Sequence, residues 1–413
     1  MTNLVRILFL LACSALGAQG SALTAQANGP SFPPDSVVLS ILKERVEEGR
    51  SAGIVVGLLE ADGTTRVLAW GDPGPEKLPL DGVSVFEIGS ITKVFTGSVL
   101  ADMVLKGEVS LDDPVQAFLP PGVTVPSRNG LEITLGMLSE QNSGLPGMPD
   151  NFNPENWSNP FADYRAEDLY EFLSGYELER DPGESFEYSN LGVGLLGHAL
   201  ALHAGRSYEA VVRDRILNPL GMTHTGVVLT PWMVEHLALG HREGGGVVCN
   251  WDLDALAGAG ALRSTAEDML KFLDAALDPE TGPIHRAMAY AQEERADAGS
   301  MRIGLNWITQ PAGDHRLVWH NGGTGGYRTY MGLIPERGIG VVVLTNSGGR
   351  GADDLGRHLL HPEFPLTQAS NPWPRRLLIL AIAVLIPLLV TLGIRRYRRR
   401  RRTPASRSEE HER

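Results

Sequence analysis

Residues 86–97 read FEIGSITKVFTG, and apolar residues continue from this stretch at helical spacing as far as Gly107. The pattern predicts a helix that Ser90 opens. Lys93 then projects from the same face one turn further on, within hydrogen-bonding reach of the Ser90 hydroxyl. A serine becomes a nucleophile when a neighbouring base takes its proton, and a lysine can be that base if burial lowers its pKa. The alternative is an N-cap serine beside a solvated lysine.

Two further motifs follow this S-x-x-K in the chain. Tyr188 and Asn190 belong to a Y-S-N sequence in a polar loop directly before an apolar helical stretch. His320 and Gly322 belong to an H-N-G sequence that ends a predicted strand and enters a glycine-rich turn. The order and the context of the three motifs make a chance match much less probable than for S-x-x-K alone.

With these motifs the chain resembles the serine penicillin-recognising family. This family comprises class C β-lactamases, D-alanyl-D-alanine carboxypeptidases and related esterases and D-amino-acid peptidases. The resemblance covers residues 35–360 or so, and supporting stretches include SLDDPV at 110–115, NPLGM at 218–222 and HNGGTGGY at 320–327. It implies a hydrolase of amide, lactam or ester bonds that works through an acyl-enzyme and needs no cofactor.

The resemblance also implies catalytic roles. Ser90 would attack the substrate carbonyl, and Lys93 and Tyr188 would share the proton transfers. Which of these two residues is the general base stays open at this point. The backbone N–H groups of Ser90 and Gly323 would form the oxyanion hole, which requires a side-chain-free edge strand at Gly323.

The same resemblance implies a substrate-binding set. Asn190 would orient the amide of the substrate, and the H-N-G residues His320, Asn321 and Gly322 would line the site. His320 takes the position of the lysine in the K-T-G form of the motif. That exchange is more typical of D,D-carboxypeptidases, D-aminopeptidases and esterases than of dedicated β-lactamases. D-alanyl peptides or β-lactams are the favoured substrates, with esters as a further class.

Two other sequence features near these motifs have no clear role. Gln141 and Asn142 stand where many relatives have a His-Thr pair. A loop with Trp251, Asp252 and Asp254 precedes a glycine-rich stretch. Relatives often use this region near the site, although ordinary loop structure explains these residues equally well.

Strand patterns at both ends of the body predict the fold. Residues 53–71 read as a hairpin, residues 305–347 read as several further strands, and most of the chain from residue 90 to 298 reads as helical. We therefore predict an α/β fold of the α+β type, with a β-lactamase/transpeptidase-like architecture. One antiparallel sheet is built from both chain ends and flanked by helices, and a mostly helical region is inserted.

The termini predict a membrane protein. Residues 1–27 fit a signal peptide, residues 28–366 the catalytic domain, and residues 367–376 a linker. Residues 377–394 are 18 uncharged residues between arginines and predict a transmembrane helix rather than a buried core helix. Residues 395–413 form a basic tail, which the positive-inside rule places in the cytoplasm, leaving the catalytic domain extracytoplasmic.

Charge excludes other classes of function. Residues 28–374 contain 24 basic and 46 acidic residues, so this body would be repelled by nucleic acid. The histidines are scattered without metal-binding spacing, which predicts no metal site. The alternative to an enzyme is a penicillin-binding sensor or non-catalytic receptor that uses the same pocket, although the short tail holds no recognisable signalling domain.

Overall fold

Within residues 31–349 and 351–367, which the computed structural model describes, eight strands form one antiparallel sheet. Their order is β2-β1-β12-β11-β10-β9-β8-β7, and two further pairs, β3-β6 and β4-β5, lie outside it. The strands are β1 Gly53–Leu59, β2 Thr65–Gly71, β3 Phe86–Glu87, β4 Ser127–Arg128, β5 Leu131–Glu132, β6 Arg263–Ser264, β7 Ala296–Ala298, β8 Met301–Ile303, β9 Ile308–Ala312, β10 His315–Gly323, β11 Arg328–Ile334 and β12 Ile339–Thr345.

Both ends of the domain contribute to the centre of this sheet, as the sequence predicts. β1 and β12 are continuous apolar runs, buried at every position, and they pair in register from Ile54–Thr345 to Leu59–Gly340. A strand that is apolar on both faces requires cover on both faces. The helices supply it.

The helices are α1 Asp35–Glu47, α2 Thr92–Leu105, α3 Leu135–Ser139, α4 Ala166–Gly175, α5 Asn190–Ala204, α6 Tyr208–Val212, α7 Pro231–Glu235, α8 Ala257–Gly260, α9 Ala266–Leu277, α10 Pro283–Gln292 and α11 Asp353–Leu360. Helix α9 packs an apolar face on β1 and β12, with Leu270 seated over Gly57. α11 covers the opposite face, where Tyr330 of β11 lies against Gly356.

Helix α2 lies in the core beside the sheet. Nearly all of its residues are buried, and its Phe95 ring stacks on Phe272 of α9 with 4.1 Å between ring centroids. Its second turn contacts the chain before β9, since a Cβ at Gly97 would lie 2.2 Å from the Leu305 carbonyl oxygen. The element that carries Lys93 is therefore anchored on several sides.

One local prediction is corrected by the structure. Ser90 does not open the α-helix, because Gly89–Ile91 form a 3₁₀ turn and α2 begins at Thr92. The H-N-G residues lie at the end of their strand, since β10 ends at Gly323. β10 as a whole is an inner strand of the sheet.

The described residues up to Pro365 belong to one compact unit, and residues 366 and 367 fall outside it. Among the described residues, we find no helix with the length and apolar character that crossing a membrane requires. The predicted signal peptide, transmembrane helix and basic tail, and all but the first residue of the linker, lie outside the described residues.

Candidate active site

Ser90 and Lys93 meet at the N-terminal end of α2. The 3₁₀ turn followed by the first turn of α2 places Lys93 Nζ 3.0 Å from Ser90 Oγ. Nζ also donates to Asn190 Oδ1 at 2.8 Å and to the Ala259 carbonyl oxygen at 2.7 Å. These two oxygens accept hydrogen bonds only. A neutral amine would satisfy both with its two N–H bonds and turn its lone pair towards the Ser90 hydroxyl.

Burial favours that neutral form of Lys93. The side chain is fully buried, and this loss of hydration lowers the pKa of its amine from 10.5 to about 7. No carboxylate is among its hydrogen-bond partners within the described chain. The amine can therefore lose its proton near neutral pH.

Tyr188 also lies beside the serine. The residue is 38% exposed, while its hydroxyl lies at the buried end, near enough to the Ser90 side chain for that side chain to lower the pKa of the phenol. Burial raises the pKa of this phenol to about 12. Tyr188 is therefore a protonated phenol at neutral pH, and Lys93 Nζ lies 4.9 Å from the centre of its ring.

The loop that carries Tyr188 is fixed by Gln141. Gln141 is buried with a φ of 62°, and its Oε1 accepts the Ser189 N–H at 2.6 Å. Ser189 in turn caps α5 by accepting the Gly192 N–H at 2.8 Å. The residue that replaces the more usual histidine thus positions the Y-S-N loop, a role that the sequence did not reveal.

His320 lies behind the proton-handling groups. It is buried, its ring is centred 6.3 Å from that of Tyr188, and its Nδ1 lies 2.6 Å from the Asn321 carbonyl oxygen. Burial, and then the positive charge of Lys93, lower the pKa of His320 to about 3. The imidazole is therefore neutral, unlike the lysine of the K-T-G motif.

The strand β10 approaches the serine through glycines. Gly89 adopts a φ of +53°, and a Cβ at this position would lie 2.7 Å from the Gly323 nitrogen. A Cβ at Gly322 would lie only 2.0 Å from the Ile88 carbonyl oxygen. These contacts bring the Gly323 backbone next to the residue that precedes Ser90.

The outer edge of β10 is open beside the serine. Its ladder with β9 stops at the Trp319–Ile308 pair, whereas its ladder with β11 continues to Gly323–Arg328. The segment from residue 320 to 323 therefore lacks a β9 partner, although β10 is an inner strand. An extended substrate can lie along it.

Asn321 is the predicted site residue that the structure does not bring to this cluster. Successive side chains of a strand point to opposite faces, and Asn321 Nδ2 donates to Asp353 of α11 at 2.7 Å. Its side chain lies across the sheet from Lys93 and Tyr188.

A pocket opens over Ser90. The large apolar side chains of its wall come from irregular loops, and no sequence pattern assigned them a role: Phe161, Trp251 and Leu253. The remaining lining is formed by Gly89, Ser90, Tyr188, Asn190, Ala259, Gly260, Gly323 and Thr324. None of these lining residues carries a formal charge.

A serine paired with a buried lysine and a tyrosine, beside a sheet built from both chain ends, defines the chain as a serine hydrolase of the S-x-x-K type. Comparison with known proteins agrees. The beta-lactamase family model matches residues 38–362. The chain belongs to the beta-lactamase family.

Relatives in this family carry two kinds of name. The D-alanyl-D-alanine-carboxypeptidase/endopeptidase AmpH of Escherichia coli K12 is 32% identical over 71% of this chain and 79% of its own. A protein named beta-lactamase from the same strain is 27% identical over 76% of this chain and 88% of its own. The crystal structure of a Yersinia pestis beta-lactamase/D-alanine carboxypeptidase complexed with citrate is 27% identical. It superposes with a TM-score of 0.66 over 76% of this chain and 92% of that one.

Proposed function

We propose that this protein hydrolyses amide, lactam or ester bonds through an acyl-enzyme on Ser90, with D-alanyl peptides or β-lactams as its favoured substrates. The observation that carries the proposal is the fully buried Lys93 amine, which lies 3.0 Å from Ser90 Oγ and donates to two acceptor-only oxygens. The names of the relatives support the two substrate classes.

In the proposed acylation, neutral Lys93 accepts the Ser90 proton while Oγ bonds to the substrate carbonyl carbon. The carbonyl oxygen becomes an oxyanion held by the N–H groups of Ser90 and Gly323. When the intermediate collapses, the bond to the leaving nitrogen or oxygen breaks. The Tyr188 phenol protonates the leaving atom and recovers its proton from the Lys93 ammonium.

Deacylation repeats these transfers with water. Lys93 accepts a proton, relayed through the Tyr188 hydroxyl, from the water that attacks the ester carbonyl, and Ser90 receives that proton when the ester bond breaks. Asn190 holds Lys93 through Oδ1 and offers its Nδ2 to a carbonyl of the substrate. His320 in place of the motif lysine favours a peptidase or esterase over a dedicated β-lactamase.

Covalent labelling tests the proposal. We expect a fluorescent penicillin to label the full chain, purified in detergent, and we expect no label on Ser90→Ala. Rapid loss of the label would indicate lactam turnover, and slow loss would indicate a D,D-peptidase. If folded protein stays unlabelled and also leaves D-alanyl peptides and esters intact, the proposed function is wrong.

We also propose that the protein is a single-pass membrane protein with its catalytic domain outside the cytoplasm. The proposal rests on the signal-like residues 1–27, the uncharged residues 377–394 and the seven arginines between 395 and 402. The segment 28–366 would then be the extracytoplasmic catalytic domain and 367–376 its linker.

Protease accessibility tests this topology. In spheroplasts or protoplasts that express the chain with a C-terminal epitope tag, added protease should remove the domain and leave a short tagged fragment protected until the membrane is lysed. Degradation of the tag in intact cells would reverse the orientation. Recovery of uncleaved full-length chain in the soluble fraction would contradict the anchor.

A further inference from the structure

Trp251 forms one wall of the pocket over Ser90. Its ring lies against that of Phe161, with 5.2 Å between the centroids, and both residues line the pocket. The indole also sits on the turn that follows β10, since a Cβ at Gly325 would lie 2.9 Å from its Nε1. Because the indole is packed on both sides, it can form a fixed wall of the substrate pocket.

Two buried charged residues hold the backbone of Trp251. Glu87 Oε1 accepts the Trp251 N–H at 2.7 Å, and Arg263 Nη2 donates to the Trp251 carbonyl oxygen at 2.6 Å. Glu87 also accepts from the Asn250 side chain at 2.9 Å, and Arg263 donates to Asp252 Oδ1 at 3.1 Å. The residues on both sides of Trp251 are thus held as well.

This pair is built into the framework of the site. Glu87 and Arg263 are neighbours in the β3–β6 ladder, each is 3% exposed, and Arg263 Nη2 lies 3.6 Å from Glu87 Oε1. Glu87 also precedes Ser90 by only three residues. Two charges removed from water are costly unless they are paired and hydrogen-bonded, and neither takes part in the proposed proton transfers.

The loop that carries Phe161 is bonded to the loop that carries Trp251. Asn159 exchanges two hydrogen bonds with Asp252, donating at 3.0 Å and accepting the Asp252 N–H at 2.8 Å. Arg165 forms a salt bridge with Asp254 at 2.7 Å. The Phe161 and Trp251 rings are therefore held together from two loops.

The position of Trp251 relative to the proton-handling groups indicates which part of a substrate it meets. The leaving atom must receive a proton, so the leaving group departs on the side of Lys93 and Tyr188. The pocket wall at Gly323, Thr324 and Trp251 then faces the acyl part. The Trp251 indole is the large apolar group of that wall, and none of its three residues carries a formal charge.

We propose that Trp251 selects substrates with an uncharged apolar group, such as an aryl ring, on the acyl side, and that Glu87 and Arg263 are positioning residues that hold it there. This inference rests on the proposed acyl-enzyme function.

The test compares p-nitrophenyl phenylacetate with p-nitrophenyl acetate, which share a leaving group and differ in the acyl part. We expect kcat/KM of the full chain to favour the phenylacetyl ester by about tenfold or more. Trp251→Ala should reduce that ratio about tenfold, and Trp251→Phe should keep most of it. Trp157→Ala, which alters a 73% exposed tryptophan, should leave both rates unchanged.

The positioning role is tested on Glu87. Glu87→Ala should reduce the ratio mainly through a higher KM for the phenylacetyl ester, and Glu87→Gln, which keeps an acceptor for the Trp251 N–H, should recover part of it. Asp102→Asn removes the charge of a buried carboxylate paired with Lys106 and Arg215, and it should lower the melting temperature without changing the ratio.

The outcomes separate the two proposals. If neither ester is turned over in a Ser90-dependent way, the proposed function fails and this inference fails with it. If turnover depends on Ser90 but the wild-type ratio is near one, or Trp251→Ala leaves it unchanged, only the acyl-selection inference is wrong. If Glu87→Ala lowers both rates equally, the positioning role is wrong.

Discussion

Ser90→Ala is expected to lower kcat by about 10⁴-fold or more on every substrate that the protein hydrolyses. The variant removes the only atom that can form the proposed acyl-enzyme bond and leaves Lys93 in place. Because Ser90 lies within the 3₁₀ turn beside Gly323, a methyl group fits without a change of backbone. Steady-state hydrolysis of a chromogenic cephalosporin, a D-alanyl-D-alanine peptide and p-nitrophenyl acetate measures the effect.

A matched control lies in the same helix. Ser98 is a buried serine of α2 whose Oγ donates to the Val94 carbonyl oxygen at 2.8 Å, and it has no place in the pocket. Ser98→Ala should therefore keep near-normal rates. Hydrolysis that survives in folded Ser90→Ala protein would refute the assignment of Ser90 as the nucleophile.

Lys93→Met is expected to lower kcat/KM by about 10³-fold or more, since it removes the proposed general base from a buried position that tolerates an apolar chain. In the wild-type protein, kcat/KM should rise as the pH increases through about 7, where the buried amine loses its proton. The sign follows because the lowered pKa makes the active form the deprotonated one. A pH profile of kcat/KM measures both effects.

The controls separate Lys93 from its neighbours. Lys106→Met alters a half-exposed lysine at the end of α2 and should keep the wild-type profile. Tyr188→Phe should reduce the rate but retain the rise near pH 7, because the pKa of Tyr188 is raised to about 12. If the rise persists in Lys93→Met and disappears in Tyr188→Phe, Tyr188 is the base instead.

Much of the fold could be predicted from local patterns. The runs at 53–59 and 339–345 lack the alternating polar residues of a strand with one solvent-exposed face, so they indicate strands that are buried on both faces. The β1–β2 hairpin and the start of α1 at Asp35 also follow from turn and helix signals. The 3₁₀ turn at Gly89–Ile91 does not, because it depends on the approach of Gly323 from the other end of the chain.

Part of the site could also be predicted from local patterns. The three-residue spacing of Ser90 and Lys93 is a local property, and the structure places them 3.0 Å apart. Asn321 was predicted as part of a motif, although a strand sends its side chain to the opposite face from His320. Phe161 and Trp251 meet only through tertiary contacts between irregular loops, and no periodic pattern reports such contacts.

The pairing of β1 with β12 has a consequence for how the protein matures. Ile54 pairs with Thr345, so the central sheet stays incomplete until almost the whole domain has left the ribosome. Pairing between such distant segments makes folding slow. A chain that ends before Ile339 would keep the β1–β2 hairpin but would leave the other edge of β1 unpaired.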